Sequence, residues 1–499
     1  MSFAIKVHAV GVVLVGVGLA SVLACRDGVL DGEGRVERAA PVPPVTARAD
    51  GEGGSQAAGE GQALGVVIAG ATRLLAEVQG RQALSMWRLD NGLTVVVVER
   101  GGLASVAYQT WFRGGSRLDP EGRVGTAHLL EHLMFREVAG LADGGFDRVM
   151  EAMGSEAGAV TWLDYTNFGQ RVRPERVEEL ARIEAARMRG PVLREATVAS
   201  ERAVLLRERA YRIDQDPHGV LLERLYASAF GEHPYGRPAA GRREDIGQIA
   251  VSDLEAYARQ VYHPANALVV IVGPVRAETL LPVLVEAYGV LPKGHEAVGA
   301  CDDAPLPELP FAGRLVLGVD AEVMVMAYPA PPLGTKASLA MQVLNVALFA
   351  EPFGVLTRLL TVERAQVSEV NAWVGEFACR SLWEMLLHMR PGVSAREVRR
   401  QIHEVLREVA ENGLDEALFL RARKRLVLEA ATQGQDAMRL AEGIGQYWVA
   451  GRDVREFLRR REQIEALGGE DVREVARRYL GAGQEVLWLG EPAAKEVTP

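Results

Sequence analysis

The sequence predicts an α+β protein made of two similar halves, and three observations favour that fold class. The chain has 499 residues, which is too many for one compact core. Its 48% apolar and 24% charged residues are typical of a folded soluble protein. Strand-like runs and long amphipathic helices follow one another, and a similar order returns about 210 residues later, which indicates an internal duplication.

The first half opens with a predicted hairpin, because Asn91-Gly92 is a turn signal and a β-branched run follows it. The further segments predicted here are strands at 95–98 and 105–112, a helix from about Gly125, a strand at 157–161, helices from Pro174 to about Tyr211 and a buried strand at 269–272.

The second half follows a Pro- and Gly-containing linker at 292–310. Strands at 314–318 and 323–328 and a helix at 336–350 are predicted next, followed by more strands and long helices. The two predicted domains span residues 65–295 and 310–493.

The N-terminus is typical of an exported protein. Lys6 precedes an apolar run that is too short for an ordinary membrane span, so we predict a signal peptide over residues 1–24. The run ends in Val22-Leu23-Ala24-Cys25, which is similar to a bacterial lipobox, and either lipidation of Cys25 or simple cleavage follows. We expect a periplasmic or outer-membrane lipoprotein of a bacterium, with a flexible linker at 25–64.

The net charge limits the kinds of partner that the chain can bind, and the cysteine content limits the disulfides that it can form. The formal net charge of −10 argues against nucleic acid, which usually requires a basic surface. A membrane is expected to be reached only through the N-terminal lipid. Cys301 and Cys379 remain after the signal region, and they either form one disulfide or are buried thiols.

The segment GTAHLLEHLMF, residues 125–135, carries the candidate chemistry. On a helix, His128 and His132 are four residues apart and project from one face, where two imidazoles can share one Zn²⁺. Glu131 lies on the same side and can take a proton from metal-bound water. The alternative is a pair of core histidines with hydrogen-bonded partners.

A third ligand is expected from the helix that carries Glu201 and Glu208. These acids are seven residues apart and share one helical face with apolar neighbours, so they can point inward. Taken alone, they could equally be solvated surface acids among many arginines.

With these motifs the chain resembles the pitrilysin/insulinase family of zinc metallopeptidases, the inverzincins, in its mitochondrial-processing-peptidase-like bacterial branch. The resemblance covers residues 87–490. Its landmarks are Gly114-Gly115-Ser116-Arg117, GTAHLLEHLMF, Asp164-Tyr165-Thr166-Asn167-Phe168, SERAVLLRE and His233-Pro234-Tyr235-Gly236-Arg237-Pro238. It implies two homologous α/β-sandwich domains of the LuxS/MPP-like type, each with a mixed, largely antiparallel sheet packed with helices, of which only the first binds metal.

The resemblance also implies the roles of the site residues. One Zn²⁺ per chain is expected on His128, His132 and Glu208, with Glu201 orienting a ligating histidine. Glu131 would act as general base on zinc-bound water in an endopeptidase that hydrolyses unfolded peptides or small proteins in the cell envelope. Substrate would pair as an added strand with the segment Gly158, Ala159, Val160 and Thr161.

The chain departs from the family pattern in two places. Gly158 replaces an Asn whose side chain would bond the substrate backbone. The Arg and Tyr that the family's second half supplies to the reaction align with Thr361 and Ser368. Loss of such donors typically costs about 10²–10³-fold in rate, so we expect a partner, a related zinc-less subunit that carries the Arg/Tyr pair. A homodimer of weak activity is the other possibility.

Two further hypotheses stand beside the endopeptidase. The chain could be a catalytically weak or inactive peptide-binding or scaffold subunit of a heterodimeric peptidase, or a protein with a purely structural zinc. An intact set of His128, Glu131, His132 and Glu208 favours catalysis over both.

Overall fold

Two β-sheets organise the protein, one from each half of the sequence. The computed structural model describes residues 68–79, 82–138, 140–299 and 309–493. The strands of the first half are β1 (Ala71–Gln79), β2 (Gln82–Leu89), β3 (Thr94–Arg100), β4 (Val106–Arg113), β5 (Glu156–Thr161), β6 (Tyr165–Val172) and β7 (Ala267–Gly273). Those of the second half are β8 (Phe311–Leu317), β9 (Val323–Ala330), β10 (Val367–Val374), β11 (Ser381–Met389) and β12 (Val486–Pro492).

Helices cover both sheets. The helices of the first half are α1 (Thr126–Leu133), α2 (Gly145–Met153), α3 (Val177–Met188), α4 (Glu195–Arg209), α5 (Pro217–Phe230), α6 (Arg243–Ile246), α7 (Val251–Val261) and α8 (Ala277–Tyr288). Those of the second half are α9 (Lys336–Phe349), α10 (Val355–Thr357), α11 (Ala395–Asn412), α12 (Glu416–Gln433), α13 (Ala437–Val449), α14 (Val454–Leu458), α15 (Arg460–Glu465) and α16 (Gly469–Tyr479). The mixed sheets and their helices confirm the predicted α+β class.

The two sheets share one topology. The larger sheet has the order β1-β2-β3-β7-β4-β6-β5, and the smaller has the order β10-β11-β9-β12-β8. Strands β5-β6-β4-β7-β3 therefore correspond one by one to β10-β11-β9-β12-β8. The pair β3–β7 is parallel, as is β8–β12, and the other neighbours in both sets are antiparallel. This agreement is what the predicted duplication requires, with the hairpin partners β1 and β2 added to the first half.

The centre of the larger sheet is buried on both faces. Strand β3 contains four consecutive valines, residues 95–98, which are completely buried. Val95 and Val97 face the core that contains α1, α3 and α8, whereas Val96 and Val98 face α13. Because successive side chains of a strand alternate between faces, a continuous β-branched run fits a strand covered on both sides.

Two helices cross between the halves. Helix α5 of the first half packs on β12, β9 and β8 of the second sheet, and α13 of the second half packs on β4 and β7 of the first. Trp488 of β12 donates a hydrogen bond to Ser228 of α5 at 3.0 Å. Gln109 of β4 donates to the Met438 carbonyl of α13 at 3.1 Å. Because each half lends a helix to the other sheet, the two halves share buried contacts and do not separate at one point of the chain. The domain limits 65–295 and 310–493 therefore stay a prediction.

Several predicted segments fall where the structure has them, with small shifts. The turn at Asn91-Gly92 joins β2 to β3, and the helix predicted from Gly125 begins at Thr126. The helical region predicted from 174 to about 211 is two helices, because α3 ends at Met188 and Gly190 follows with a positive φ of 98°.

Other predictions lie outside the described residues. The signal peptide at 1–24, Cys25 and the linker at 25–64 belong to this group. Cys379 forms a disulfide, and the other cysteines, Cys25 and Cys301, both lie outside the described residues. Among the helices of the described part of the chain, none has the length and apolar character that crossing a membrane requires.

Candidate metal centre

Helix α1 positions three of the predicted site residues, and every residue of it is buried. The carboxylate of Asp119 accepts the backbone N–H groups of Gly125 and Ala127, at 2.7 and 2.8 Å, and so holds the start of the helix. The rings of His128 and His132 lie one turn apart, with centroids separated by 4.9 Å. The predicted spacing of the two histidines on one face is therefore present in the fold.

Helix α4 brings Glu208 to the two histidines. One carboxylate oxygen of Glu208 and one ring nitrogen of each of His128 and His132 lie within 4.8 Å of one another. The distance between His132 Nε2 and Glu208 Oε2 is 3.5 Å. Zinc bonds of about 2.0–2.1 Å in a tetrahedron place two ligand atoms about 3.3 Å apart. Two nitrogens and one oxygen at these separations fit a single zinc ion.

The His128 ring supports the same conclusion. Both of its nitrogens are buried, and neither meets hydrogen-bond geometry with the described residues. The carbonyl of Ala240 is close enough to raise the pKa of His128, but burial and then His132 dominate and lower that pKa to about 3. A buried neutral ring with two unsatisfied nitrogens is costly, and a metal bond would satisfy one of them.

Glu201 lies beside the ring of the second histidine. Its Oε2 atom lies 3.4 Å from Nδ1 of His132, and its Oε1 atom forms an ion pair with Arg136 at 2.7 Å. With the proton of the ring on Nδ1, the Nε2 lone pair faces Glu208 and the candidate metal position. Burial lowers the pKa of His132, but the contacts with Glu201 and Glu208 outweigh burial and raise it to about 9.

Glu131 lies beside the two histidines, and only one of its two carboxylate oxygens accepts a hydrogen bond from the described residues. Thr161 Oγ1 donates a hydrogen bond to Glu131 Oε2 at 2.5 Å, while Oε1 is buried without a hydrogen bond from the described residues. Burial raises the pKa of Glu131 to about 7, against the lowering effects of His132 and Thr161. A carboxyl group with a pKa near neutrality can both accept and return a proton.

Two arginines at the site were not predicted from the sequence. Arg136 forms an ion pair with Glu201, and Arg212 lies 3.0 Å from Glu208 Oε1. Burial raises the pKa of Glu208, but His132 and other positive neighbours hold it below its usual range. Arg212 follows Glu208 by four residues, and that helical spacing is a sequence signal that could have found it.

The predicted substrate segment lies at an open edge. Strand β5 is the last strand of the larger sheet and pairs only with β6 among the described strands. Gly158 is exposed with free space around it, whereas Ala159 and Thr161 are buried. Because Thr161 bonds Glu131, the edge ends at the candidate general base.

Thr361 and Ser368 stand where the family pattern has an Arg and a Tyr, and their hydroxyls donate hydrogen bonds to backbone carbonyls of other residues of the second half. Thr361 Oγ1 donates to the Thr357 carbonyl at 2.7 Å, and Ser368 Oγ donates to the His388 carbonyl at 3.3 Å.

The second half also shows what replaces the metal site there. Helix α9 follows β9 as α1 follows β4, and its N-cap is Thr335 where that of α1 is Gly125. Counting from these caps, the positions of the two histidines and the general base hold Ser338, Gln342 and Met341. A hydroxyl, an amide and a thioether do not make a zinc site of the same kind.

Two family models match the chain in succession. The model described as Insulinase (Peptidase family M16) matches residues 94–243, which include the whole metal group. The model described as Peptidase M16 inactive domain matches residues 248–426. The chain belongs to the insulinase family, peptidase family M16, as the resemblance predicted.

Individual relatives agree with that assignment. The chain is 25% identical over 335 residues to the zinc protease PqqE of Helicobacter pylori, covering 66% of this chain and 75% of that protein. It is 30% identical over 207 residues to the mitochondrial-processing peptidase subunit beta of Blastocladiella emersonii, covering 42% and 44% of the two chains. The crystal structure of a protease from Helicobacter pylori has the same fold, with a TM-score of 0.78, 22% identity and coverage of 83% and 100%.

Proposed function

We propose that this chain is a zinc-dependent endopeptidase with one zinc site, formed by His128, His132 and Glu208. The observation that carries the proposal is the convergence of three ligand atoms within 4.8 Å, with Glu131 buried beside them. Relatives named zinc proteases support zinc as the metal. The donor set of two imidazoles and one carboxylate, with a position left for water, is that of catalytic zinc sites.

The chain's own residues divide the work of hydrolysis. When bound, zinc would polarise the scissile carbonyl and make water a better nucleophile. Glu131 takes the proton of the attacking water and returns it to the leaving amine, and its pKa of about 7 suits both steps. Glu201 keeps His132 in the tautomer that presents Nε2.

Substrate is held by its main chain. An extended peptide adds to the free edge of β5 at Gly158, Ala159, Val160 and Thr161, which brings its backbone to Glu131. Such binding requires an unfolded peptide or a flexible segment of a small protein, because a folded chain has no free strand to offer. We place this activity in the cell envelope of a bacterium, on the basis of the signal-peptide pattern at 1–24 and Cys25.

A related zinc-less subunit is the proposed partner, and it would supply the Arg/Tyr pair that Thr361 and Ser368 do not. Both hydroxyls already donate to backbone carbonyls, so they are not free to donate to a reacting substrate, which supports the need for a partner. One relative is also named as a subunit of a processing peptidase. A homodimer is the second candidate assembly. The competing function is a peptide-binding or scaffold subunit without catalysis, and the match of residues 248–426 to an inactive domain is the observation in its favour.

Cleavage of a quenched fluorescent unstructured peptide separates these functions. The wild-type protein, alone or with the candidate partner, should cleave the peptide and lose activity with a chelator. Glu131→Gln should lose about 10²–10⁴-fold in rate while keeping its zinc, because it removes proton transfer and no ligand. Glu151→Gln, an exposed acid on α2, is the matched control and should cleave normally. Cleavage by Glu131→Gln at the wild-type rate, or peptide binding with no zinc-dependent cleavage in either assembly, would reject the endopeptidase.

A further inference from the structure

Two buried threonines face each other across the hairpin of β5 and β6. Thr161 ends β5, Thr166 lies near the start of β6, and the two are directly opposite in the register of these strands. Their hydroxyl oxygens are 3.3 Å apart. Hydrogen bonds between such threonine pairs are one of the contacts that stabilise neighbouring strands. The two residues are 1% and 0% exposed, so bulk water does not reach these hydroxyls.

The direction of the hydrogen bond between the threonines follows from the number of protons. Each hydroxyl group has one proton to donate, and it can accept from other donors. Thr161 gives its proton to Oε2 of Glu131 at 2.5 Å, so it must be the acceptor in its contact with Thr166. Thr166 therefore donates to Thr161, and both protons point toward the carboxylate.

A tyrosine hydroxyl lies next to Thr166. Tyr262 directly follows α7 and is 7% exposed. Its hydroxyl is buried and meets hydrogen-bond geometry with none of the described residues. Burial raises the pKa of Tyr262, and Thr166 is close enough to oppose that effect. A buried hydroxyl without a partner is costly, and the oxygen of Thr166 is free to accept because its proton goes to Thr161.

The ring of Tyr262 is held over the strands at the position of Thr166. Its centroid lies 4.6 Å from that of Phe112 on β4 and 6.2 Å from that of Phe168 on β6. Phe112 is the residue opposite Thr166 in the register of β4 and β6. Phe168 follows Thr166 by two residues and so shares its face of the strand. Packing of the ring therefore directs the phenol group to Thr166.

The three hydroxyls act on one oxygen of Glu131 and leave the other to the reaction. Oε2 accepts from Thr161, whereas Oε1 is buried and accepts no hydrogen bond within the described part of the chain. Oε2 stays an acceptor whether Glu131 is ionised or protonated on Oε1. The contact with Thr161 can therefore persist while Oε1 takes the proton of water and returns it, and a fixed carboxylate transfers a proton better than a rotating one.

Two nearby residues have similar burial and chemistry but do not reach Glu131. Thr110 on β4 is 3% exposed, and its hydroxyl meets no hydrogen-bond geometry with the residues that the structure describes. Tyr257 on α7 is 2% exposed and donates to the carbonyl of Gly115 at 2.7 Å. Removal of either hydroxyl changes the core without changing the contacts of the general base, so both residues are suitable controls.

We propose that Thr166 and Tyr262 are positioning residues of the peptidase, which form with Thr161 a chain of hydroxyl groups that fixes the carboxylate of Glu131 for proton transfer. The proposal rests on the proposed function and adds to it the residues that hold the general base. Both residues act through Thr161 rather than on the substrate, so their loss should affect the rate of the bound complex more than the binding of peptide.

Single substitutions separate positioning from packing. Thr166→Val keeps the shape of the side chain and removes its hydroxyl, so kcat should fall about 10-fold while KM and zinc content stay within about twofold. Thr166→Ser keeps the hydroxyl and should recover most of kcat. Tyr262→Phe should lower kcat about threefold. Thr110→Val and Tyr257→Phe should keep the wild-type kcat even where they lower the melting temperature.

Double variants with Thr161→Val test the connection itself. Thr161→Val removes the contact with Glu131, so a second change further along the chain has no path to the carboxylate. Adding Thr166→Val or Tyr262→Phe should then lower kcat by less than about a further twofold. Independent effects on packing would multiply instead, because only coupled residues depart from additivity.

Crystal structures of the zinc-loaded wild-type protein and of Thr166→Val give a readout that needs no activity. The wild-type protein should show one conformation of Glu131, with Oε2 on the hydroxyl of Thr161. Thr166→Val should show the carboxylate of Glu131 displaced or in two conformations, because the hydroxyl of Thr161 has lost its donor and can turn.

The outcomes separate the hydroxyl chain from the proposed function. A wild-type kcat in Thr166→Val, or double variants whose losses multiply, overturns the chain and leaves the endopeptidase in place. Absence of zinc-dependent cleavage by the wild-type protein, with and without the candidate partner, rejects the endopeptidase, and the crystal structures then decide on the chain. An unchanged Glu131 in Thr166→Val overturns it, whereas a displaced carboxylate supports it.

Discussion

Zinc binding is expected to expel a proton from His132. Burial lowers the pKa of this ring, but the contacts with Glu201 and Glu208 raise it to about 9 in the metal-free protein. Zinc binds only the neutral ring, so the proton must leave. At pH 8 about nine-tenths of rings with such a pKa are protonated, so about 0.9 proton is released per zinc bound. His128, with a pKa of about 3, is already neutral and releases none.

Because zinc and a proton compete for the His132 ring, the affinity for zinc should depend on pH. Well below pH 9 the apparent association constant should rise about tenfold per pH unit, and the whole rise between pH 7 and pH 9 should be about 50-fold, because half of the rings are already neutral at pH 9. Above pH 9 the ring is neutral without metal, and this dependence should end. Glu131, with a pKa of about 7, is mainly ionised at pH 8 and adds little there.

Isothermal titration calorimetry in two buffers with different ionisation enthalpies measures the released protons directly. Glu201→Gln removes the carboxylate from Nδ1, which lowers the pKa of His132, so this variant should release fewer protons at pH 8. Glu195→Gln, an exposed acid on the same helix, should behave like the wild type. Zinc binding with no proton release at pH 8, together with an affinity that is constant from pH 7 to pH 9, would refute the assigned contacts of His132.

Three further substitutions test other parts of the structure. Thr161→Val removes a hydrogen bond that lowers the pKa of Glu131, so the acidic limb of the pH profile of kcat/KM should move upward while zinc content stays the same. Burial raises the pKa of Glu384 to about 8 from its ordinary 4.5, so the folded protein holds a proton that the unfolded chain releases between these values. Stability should therefore fall by about 1.4 kcal/mol per pH unit as pH rises through this window, and melting curves of Glu384→Gln should lack that contribution. Gly445→Ala would place a methyl group 2.1 Å from a tryptophan of β4 and should cost about 1–3 kcal/mol or more in urea unfolding, whereas Gly469→Ala, with free space around it, should be close to neutral.

Local features of the site could be predicted from the sequence because helical geometry fixes them. The four-residue spacing of His128 and His132 determines that both rings share a face, and the apolar residues around them predict the burial that α1 shows. Glu208 is different, because 76 residues separate it from His132 (208 − 132 = 76) and no local pattern brings the two together. Its position followed from the family resemblance, and the packing of α4 on α1 supplies the physical reason.

Long-range packing could not be predicted in the same way. The amphipathic patterns of α5 and α13 show that each has a buried face, but a pattern does not name the sheet on which that face packs. Both helices cross to the opposite sheet. A cavity lies beside His128, and its wall combines Trp162 and Leu163 with residues of α4, α5 and the loop before α6. Its existence depends on how these elements meet. Composition and periodicity carry no information on such a space.

The zinc content of purified protein, measured by inductively coupled plasma mass spectrometry, tests the central claim most directly. The wild-type protein should contain about one zinc per chain. Glu208→Ala should lose most of it, because two histidines alone bind zinc weakly, and Glu195→Ala on the exposed side of α4 should retain it. Full zinc occupancy in Glu208→Ala, or wild-type protein that binds no zinc, would contradict the site.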